Sequence, residues 1–171
     1  MEQSVCFIGH RSIKETPELR EQLRRYIATQ IESGKTEFLF GDHSAFNDLC
    51  YAVVTELKKQ YPTIRRIYFR TVYPDADAYT LGFFMRGYEE SICPEGIDRA
   101  GRAAYIERNY AMIRESEVCV FYFDESYLPS RLNGEKSRLT DGKLQSGTAL
   151  AYRYAIRQKK KVINLYSSVL F

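Results

Sequence analysis

The stretch Val5-Cys6-Phe7-Ile8-Gly9-His10-Arg11 decides the predicted fold. Four apolar residues run directly into a glycine, a histidine and an arginine. A short, uninterrupted apolar run that ends at glycine is typical of a strand buried on both faces of a parallel sheet. In an open α/β sheet, ligands bind just beyond the carboxyl ends of the strands, where the strand order reverses. We therefore expect Gly9, His10 and Arg11 to lie at a ligand-binding edge.

Four later segments share the features of buried strands, and helical segments separate them. The predicted strands cover residues 37–41, 64–72, 118–123 and 161–165. Strands that alternate with helices form parallel βαβ units with right-handed crossovers. We therefore predict an α/β fold, a three-layer Rossmann-like sandwich built by residues 1–171 as a single domain. Its mainly parallel five-stranded sheet has the order 3-2-1-4-5, which sets the first predicted strand beside the fourth.

Two connections are less regular. Residues 79–88 are predicted as a short helix and 104–115 as a longer one, whereas residues 89–102, with one proline and two glycines, are predicted as a loop or lid. The second connection, residues 124–145, is polar and charged. A connection of this length is usually functional or disordered, and we expect it to fold over a bound ligand.

The composition is that of an ordinary soluble domain. Of the 171 residues, 44% are hydrophobic and 27% are charged, and 25 basic against 22 acidic residues give a net charge of +3. This balance does not by itself indicate nucleic-acid binding. No apolar run is long enough to cross a bilayer and the N-terminus lacks the features of a signal peptide, so we expect a cytoplasmic protein without membrane contact.

The cysteines are widely scattered along the chain, at Cys6, Cys50, Cys93 and Cys119. They lack the spacing of metal ligands, and thiols within apolar segments usually pack as small hydrophobic groups. We therefore predict neither a metal site nor a bound cofactor.

Small and polar residues stand at three strand ends of the predicted sheet, in the stretches Gly9-His10-Arg11, Gly41-Asp42-His43-Ser44 and Ser146-Gly147-Thr148. Glycine allows a ligand to approach the backbone closely. Ser146 and Thr148 stand at a helix N-terminus, where free N–H groups and the helix dipole favour an anion such as phosphate. Arg11 can add a bidentate contact to the same anion, and Asp42 is a candidate for holding a ribose hydroxyl.

Each of these stretches also has an ordinary structural explanation. Ser146 can simply cap its helix, and the glycines can form tight turns. His10 and Arg11 can be part of a solvated loop. We favour a binding site because the three stretches converge on one edge of the predicted sheet.

Further polar residues are secondary candidates for the same site: Asp48, Arg108, Asn109 and Asp124. Asp48 lies in the early turns of the second predicted helix, and we expect it to form a hydrogen bond with the loop after the first strand. Arg108 and Asn109 lie on the helix before the fourth strand and face either the crevice or solvent.

At these residues the chain resembles the SLOG superfamily, the Rossmann-like group that joins the DprA/Smf proteins with the Lonely Guy phosphoribohydrolases. It resembles most closely the YpsA-like, functionally uncharacterised branch. The resemblance covers most of the chain and implies a nucleotide or nucleotide-derived ligand, bound through the glycine loops. It also implies a homo-oligomer, to which the apolar end at residues 169–171 can contribute. The matching stretches are Cys6-Phe7-Ile8-Gly9-His10-Arg11, Phe40-Gly41, Ala45-Phe46-Asn47-Asp48, Tyr61-Pro62, Arg108-Asn109 with Met112, Ser146-Gly147-Thr148 and Val162-Ile163-Asn164.

One departure from the resembling enzymes bears on catalysis. Lonely Guy enzymes carry a Gly-Gly-x-Gly-Thr-x-x-Glu motif with a catalytic glutamate, whereas residues 144–151 of this chain lack both leading glycines and have Ala151 at the glutamate position. A carboxylate at that position would stabilise or activate the ribosyl centre during cleavage of an N-glycosidic bond. Its absence argues against this hydrolase activity, and the sequence assigns no catalytic residue.

Three functions are compatible with these observations. We favour the binding or sensing of a nucleotide-type ligand, without established catalysis. The first alternative is an enzyme of N-glycosidic bonds, such as a nucleoside hydrolase, a phosphoribohydrolase or a deoxyribosyltransferase, which needs a carboxylate pair drawn from Asp42, Asp124 and Glu125. The second alternative is DprA-like binding of single-stranded DNA, which needs a continuous basic groove.

Overall fold

The structure is a computed structural model that describes residues 3–41, 44–127 and 145–168. Within these residues, six strands form one sheet in the order β4-β3-β2-β1-β5-β6, and every neighbouring pair is parallel. The strands are β1 (Ser4–Gly9), β2 (Glu37–Phe40), β3 (Arg65–Phe69), β4 (Glu90–Ile92), β5 (Val118–Tyr122) and β6 (Lys161–Asn164).

Helices cover both faces of the sheet. They are α1 (Pro17–Glu32), α2 (Ala45–Lys58), α3 (Ala78–Phe84), α4 (Ala104–Glu115), α5 (Gly147–Arg157) and the short α6 (Leu165–Ser168), with 3-10 turns at Ile97–Arg99 and Gly101–Ala103. The buried sides of α1 and α2 pack in one hydrophobic cluster, and those of α4 and α5 pack in a second cluster across the sheet. The predicted α/β class and its Rossmann-like layering are confirmed.

The strand β1 contributes side chains to both clusters. Val5 and Phe7 pack with α1 and α2, whereas Cys6 and Ile8 pack with α4 and α5. All four side chains are buried. Successive residues of a strand point to opposite faces, so an unbroken apolar run is what a strand covered on both sides requires.

The predicted number of strands, five, is wrong, because the sheet has a sixth strand, β4. This strand lies within residues 89–102, which were predicted as a loop or lid. It has three half-buried residues at the sheet edge and no apolar run, so it lacks the pattern of an interior strand. Charge pairs hold it to β3, since Arg66 pairs with Glu89 at 2.8 Å and Arg65 pairs with Glu90.

The order of the five predicted strands agrees with the structure. They correspond to β1, β2, β3, β5 and β6, which follow one another in the sheet as β3-β2-β1-β5-β6. From β1 the chain adds β2, β3 and β4 on one side of the sheet. It then returns through α4 and adds β5 and β6 on the other side of β1. The strand order reverses between β1 and β5, and a crevice for ligands is expected at such a point.

Capping residues mark the start of α1, whereas the end of the third predicted strand differs from the structure. The hydroxyl of Thr16 accepts a hydrogen bond from the N–H of Leu19 at 3.1 Å, and Pro17 occupies the first turn of α1. The predicted third strand (64–72) is shorter and ends at Phe69. The backbone N–H of Arg70 still donates to the Ile92 carbonyl oxygen at 2.9 Å, and its buried side chain donates to the Ser91 carbonyl oxygen at 3.0 Å.

Cys6, Cys50 and Cys119 are buried as free thiols, and Cys93 is partly exposed. Across the described residues, no three His, Cys, Asp or Glu side chains come together as a set of metal ligands. In that same part of the chain, no helix is long and apolar enough to span a membrane.

Replacing Gly9 with alanine should destabilise the protein. A Cβ atom at this position would lie 2.6 Å from the Cβ atom of Phe46, a fully buried core residue. Overpacking of this kind typically costs about 1–3 kcal/mol, measurable as a loss in the free energy of unfolding by chemical denaturation. The matched control is Gly82→Ala in α3, where no atom lies within 4 Å, and helix propensity there favours alanine by about 0.5–1 kcal/mol. Equal effects of the two substitutions would contradict the packing described here.

Candidate functional site

The pairing of β1 with β5 brings their carboxyl ends together. Gly9 is the register partner of Tyr122, and the residues that follow each strand meet at the edge. The imidazole Nε2 of His10 accepts a hydrogen bond of 2.8 Å from the backbone N–H of Asp124. Two residues predicted separately from the sequence, His10 and Asp124, therefore lie side by side.

His10 is buried at this edge, with 1% of its surface exposed. Its ring stacks on that of Tyr127, with 3.9 Å between the ring centres and an interplanar angle of 16°. The second ring nitrogen, Nδ1, is also buried and has no hydrogen-bond partner among the described residues. The solvated-loop alternative therefore fails for His10, whereas the neighbouring Arg11 is exposed.

Burial lowers the pKa of His10, and the nearby Asp124 only partly offsets this. The imidazole is therefore neutral near pH 7. Because Nε2 accepts the Asp124 hydrogen bond, the single proton of the neutral ring resides on Nδ1.

The second strand end is held by a residue that sequence reasoning did not place in the site, Asn47. Its side-chain oxygen accepts from the N–H of Gly41 and its side-chain N–H donates to the Gly41 carbonyl oxygen, both at 3.2 Å. The start of α2 is also tied to the β1 loop, since the N–H of Ala45 donates to the Arg11 carbonyl oxygen at 2.9 Å. The available signal for Asn47 was a polar residue within the otherwise apolar buried stripe of α2.

Arg108 reaches the same edge from the opposite face of the sheet. Its guanidinium lies directly on Gly41, where an added Cβ would stand 2.7 Å from the Arg108 Cζ atom. Arg108 is buried, with 6% of its surface exposed, and its Nη2 donates to the side-chain oxygen of Asn109 at 3.1 Å. The solvent-facing orientation of Arg108 is therefore excluded, and its side chain lies against Gly41 at the sheet edge. A side chain at position 41 would displace the guanidinium from this place.

The third predicted stretch forms the start of α5. The hydroxyl of Ser146 accepts a hydrogen bond from the N–H of Ala149 at 3.1 Å, so the capping role is present. Thr148 is buried, whereas Gly147 is exposed and has open space where a side chain would stand. The N-terminus of α5 lies at the carboxyl edge because the helix leads back into the parallel strand β6.

The predicted acidic residues have different positions. Asp48 is exposed in the first turn of α2, and the described hydrogen bond to the β1 loop comes from Ala45 instead. Asp124 accepts hydrogen bonds from the N–H and the hydroxyl of Ser126 at 2.8 and 2.7 Å. These bonds are the main cause that lowers the pKa of Asp124, with a smaller contribution from Tyr166. Asp42 lies outside the described residues.

The predicted lid, residues 124–145, lies mostly outside the described residues, as does the apolar end at 169–171. The described part begins as a turn built on Asp124. Tyr127 follows, and its ring covers His10.

A separate cleft of about 640 Å³ lies between the end of β4 and α4. Arg99 and Arg114 line it together with Glu95 and Glu115, so its charges are balanced. None of the predicted site residues lines this cleft, and we place the candidate site at the carboxyl edge because the predicted residues converge there.

In comparisons with known proteins, the chain resembles a solved structure in its fold. No family model matches the chain, and no curated protein sequence matches it. The chain is similar to a solved structure of DNA processing protein A from Helicobacter pylori, a protein that binds single-stranded DNA. The similarity covers 98% of this chain and 71% of that one, with a TM-score of 0.51 and 14% sequence identity. At this identity the likeness shows a shared Rossmann-like fold.

The burial of His10 should make the stability of the protein depend on pH. The unfolded chain takes up a proton as the pH falls below about 6.5, whereas native His10, with its lowered pKa, resists it. The stability present above pH 6.5 is therefore lost progressively as the pH falls towards the native pKa. In urea unfolding from about pH 8 to about pH 5, His10→Gln should show a shallower decline than the wild type. Parallel curves for the two proteins would show that His10 is not buried in the neutral form.

Proposed function

We propose that this chain binds a nucleotide-type ligand in the crevice formed by the carboxyl ends of β1, β2 and β5 and the start of α5. The observation that carries the proposal is the buried guanidinium of Arg108, seated on Gly41 at the sheet edge. A planar guanidinium recognises phosphate through paired, charge-assisted hydrogen bonds. Burial strengthens such a contact because water competes less for the anion.

Other groups at the edge favour an anion as well. Arg11 is exposed beside Gly9, and the helix dipole of α5 is positive at its N-terminus, where Gly147 leaves the backbone accessible. Two arginines and a helix N-terminus on one sheet edge support a phosphate subsite. The sugar or base is then expected over Gly41, beside Asp42.

The residues around the crevice support binding more than catalysis. Ala151, at the position of the Lonely Guy glutamate, is buried among small residues of α5. The Asp124 carboxylate already accepts two hydrogen bonds from Ser126, and Glu125 is exposed. An N-glycosidic-bond enzyme needs a pair of carboxyl groups in different protonation states, and the hydrogen bonds from Ser126 lower the pKa of Asp124, which does not suit it to the role of the protonated acid.

A nucleotide that binds here should stabilise the folded chain. At about 100 times its dissociation constant, a ligand raises the free energy of unfolding by about 2.7 kcal/mol. We would screen nucleoside monophosphates, ADP-ribose and ribose 5-phosphate by thermal shift. Arg11→Ala should weaken a phosphate-dependent hit about tenfold or more, since a charge-assisted hydrogen bond contributes about 1.5–3 kcal/mol.

The matched control is Arg25→Ala, which removes an arginine from the exposed side of α1 and should leave binding unchanged. If no probe stabilises the wild type, the proposal fails. Incubation of any bound nucleotide with the protein, followed by chromatography, tests the N-glycosidase alternative, for which release of the free base is the required result.

A second candidate function is the binding of single-stranded DNA, and a separate surface favours it. Tyr73, Tyr79 and Phe83 are 60%, 87% and 60% exposed around α3, and the Arg86 guanidinium lies 5.3 Å from the Phe83 ring centre. We call these four residues the α3 aromatic surface. Exposed rings flanked by arginine are suited to stacking with the bases of a single strand. The similar structure is that of a protein that binds single-stranded DNA.

Fluorescence anisotropy with a labelled oligothymidylate tests this candidate. Tyr79→Ala and Phe83→Ala should each weaken binding by about 1–3 kcal/mol, because a stacked base is lost. Binding should also weaken steeply with added salt, since phosphate contacts release counterions. The control Ile156→Ala removes an exposed apolar side chain from α5 and should have no effect. Absence of binding at low salt would exclude DNA as the partner.

A further inference from the structure

We propose that His10 donates its Nδ1–H to a hydrogen-bond acceptor on the bound nucleotide and thereby helps to determine which ligands fit. This inference rests on the proposed function, since it concerns the same crevice. In this role, Nδ1 of His10 acts as a hydrogen-bond donor and not as an acceptor.

One buried polar atom of His10 lacks a hydrogen-bond partner. Nδ1 of His10 is inaccessible to solvent and forms no hydrogen bond with any residue the structure describes. Buried polar atoms are almost always paired, because an unpaired one loses its hydrogen bonds to water without replacement. An acceptor supplied by a ligand at this edge would restore that bond.

Contacts on both sides hold the His10 ring in one orientation. Nε2 accepts the 2.8 Å hydrogen bond from the Asp124 N–H, and the ring stacks on Tyr127. The two nitrogens of an imidazole face different directions, so Nδ1–H points away from the Asp124 backbone. Neither the tautomer nor the ring orientation can change without breaking one of these contacts, so the donor is preorganised.

His10 also lies next to the proposed phosphate subsite. His10 directly follows Gly9 at the end of β1, between the β5 loop and the exposed Arg11. Arg11 belongs to the proposed phosphate subsite and is the next residue in the chain, so a ligand bound there lies close to the His10 donor. The matching acceptor is a phosphate or sugar oxygen, or a ring nitrogen or carbonyl oxygen of the base. An amino group, which only donates, would leave the Nδ1–H unpaired.

Imidazole ¹⁵N NMR can observe this donor directly. The chain has two histidines, His10 and His43, so a His43→Gln variant assigns the His10 signals. We expect the free protein to show the neutral tautomer protonated on Nδ1. On addition of AMP, GMP, CMP, UMP or ribose 5-phosphate, the Nδ1 proton should shift downfield with those probes that bind. A shift with ribose 5-phosphate assigns the acceptor to the sugar phosphate, and a shift confined to particular nucleotides assigns it to the base.

Three results would contradict the proposals, and they can be told apart. If the backbone amides of Gly41 and Gly147 respond to a nucleotide while the His10 Nδ1 signal does not, the role of His10 is wrong and the proposed function stands. If no signal responds to any probe, the proposed function fails as well. A free protein with its proton on Nε2 would overturn the donor assignment before any ligand is added.

A pair of substitutions separates recognition from structure. His10→Gln retains an acceptor near the Asp124 N–H but loses the Nδ1 donor, whereas His10→Asn retains a donor near Nδ1 and loses the acceptor. We expect His10→Gln to bind the probe about tenfold more weakly with stability near that of the wild type. His10→Asn should be less stable but bind within about threefold of the wild type. Equal affinities in both variants would overturn the proposal.

Discussion

The structure depends on the burial of β1 on both faces. Its side chains alternate between the α1–α2 cluster and the α4–α5 cluster, so neither core forms without it. Because β1 pairs with β2 on one side and with β5 on the other, it occupies the centre of the sheet. Because the chain leaves β1 in one direction and returns to its other side, the strand order reverses between β1 and β5, which is where an open α/β sheet is expected to bind its ligand.

Buried polar groups surround this crevice, and each holds a strand end in place. Asn47 pairs with both backbone groups of Gly41, His10 pairs with the Asp124 N–H, and Arg108 lies on Gly41 from the other face. Burial of such groups costs free energy, which their hydrogen bonds largely recover. Polar side chains therefore line the carboxyl ends of strands whose other residues are mostly apolar, and the buried His10 Nδ1 without a hydrogen-bond partner lies among them.

The sequence predicted the structure best in segments with a single clear hydrophobic pattern. The interior strands and their order followed from apolar runs and from the alternation of strands with helices. The strand β4 was missed because an edge strand of three half-buried residues carries no such run, and its pairing depends on Arg65 and Arg66 from a distant segment.

The sequence predicted where the candidate site lies, but it did not predict the contacts that its side chains form. Glycines after strands indicated the edge, and the register of β1 with β5 brought His10 to Asp124. The sequence could not decide whether Arg108 faced the crevice, because that depends on the rotation and tilt of α4 over the sheet. The burial of His10 was also hidden, since it results from stacking with Tyr127, more than a hundred residues away in the chain.

A crystal structure of the protein with the tightest-binding nucleoside monophosphate tests the central claim most directly. We expect a phosphate within hydrogen-bond distance of Arg108 or Arg11 and near the N-terminus of α5, with the nucleotide bound over Gly41. A nucleotide bound elsewhere, on the α3 aromatic surface or in the cleft between β4 and α4, would contradict the assignment of the functional site to the carboxyl ends of β1, β2 and β5.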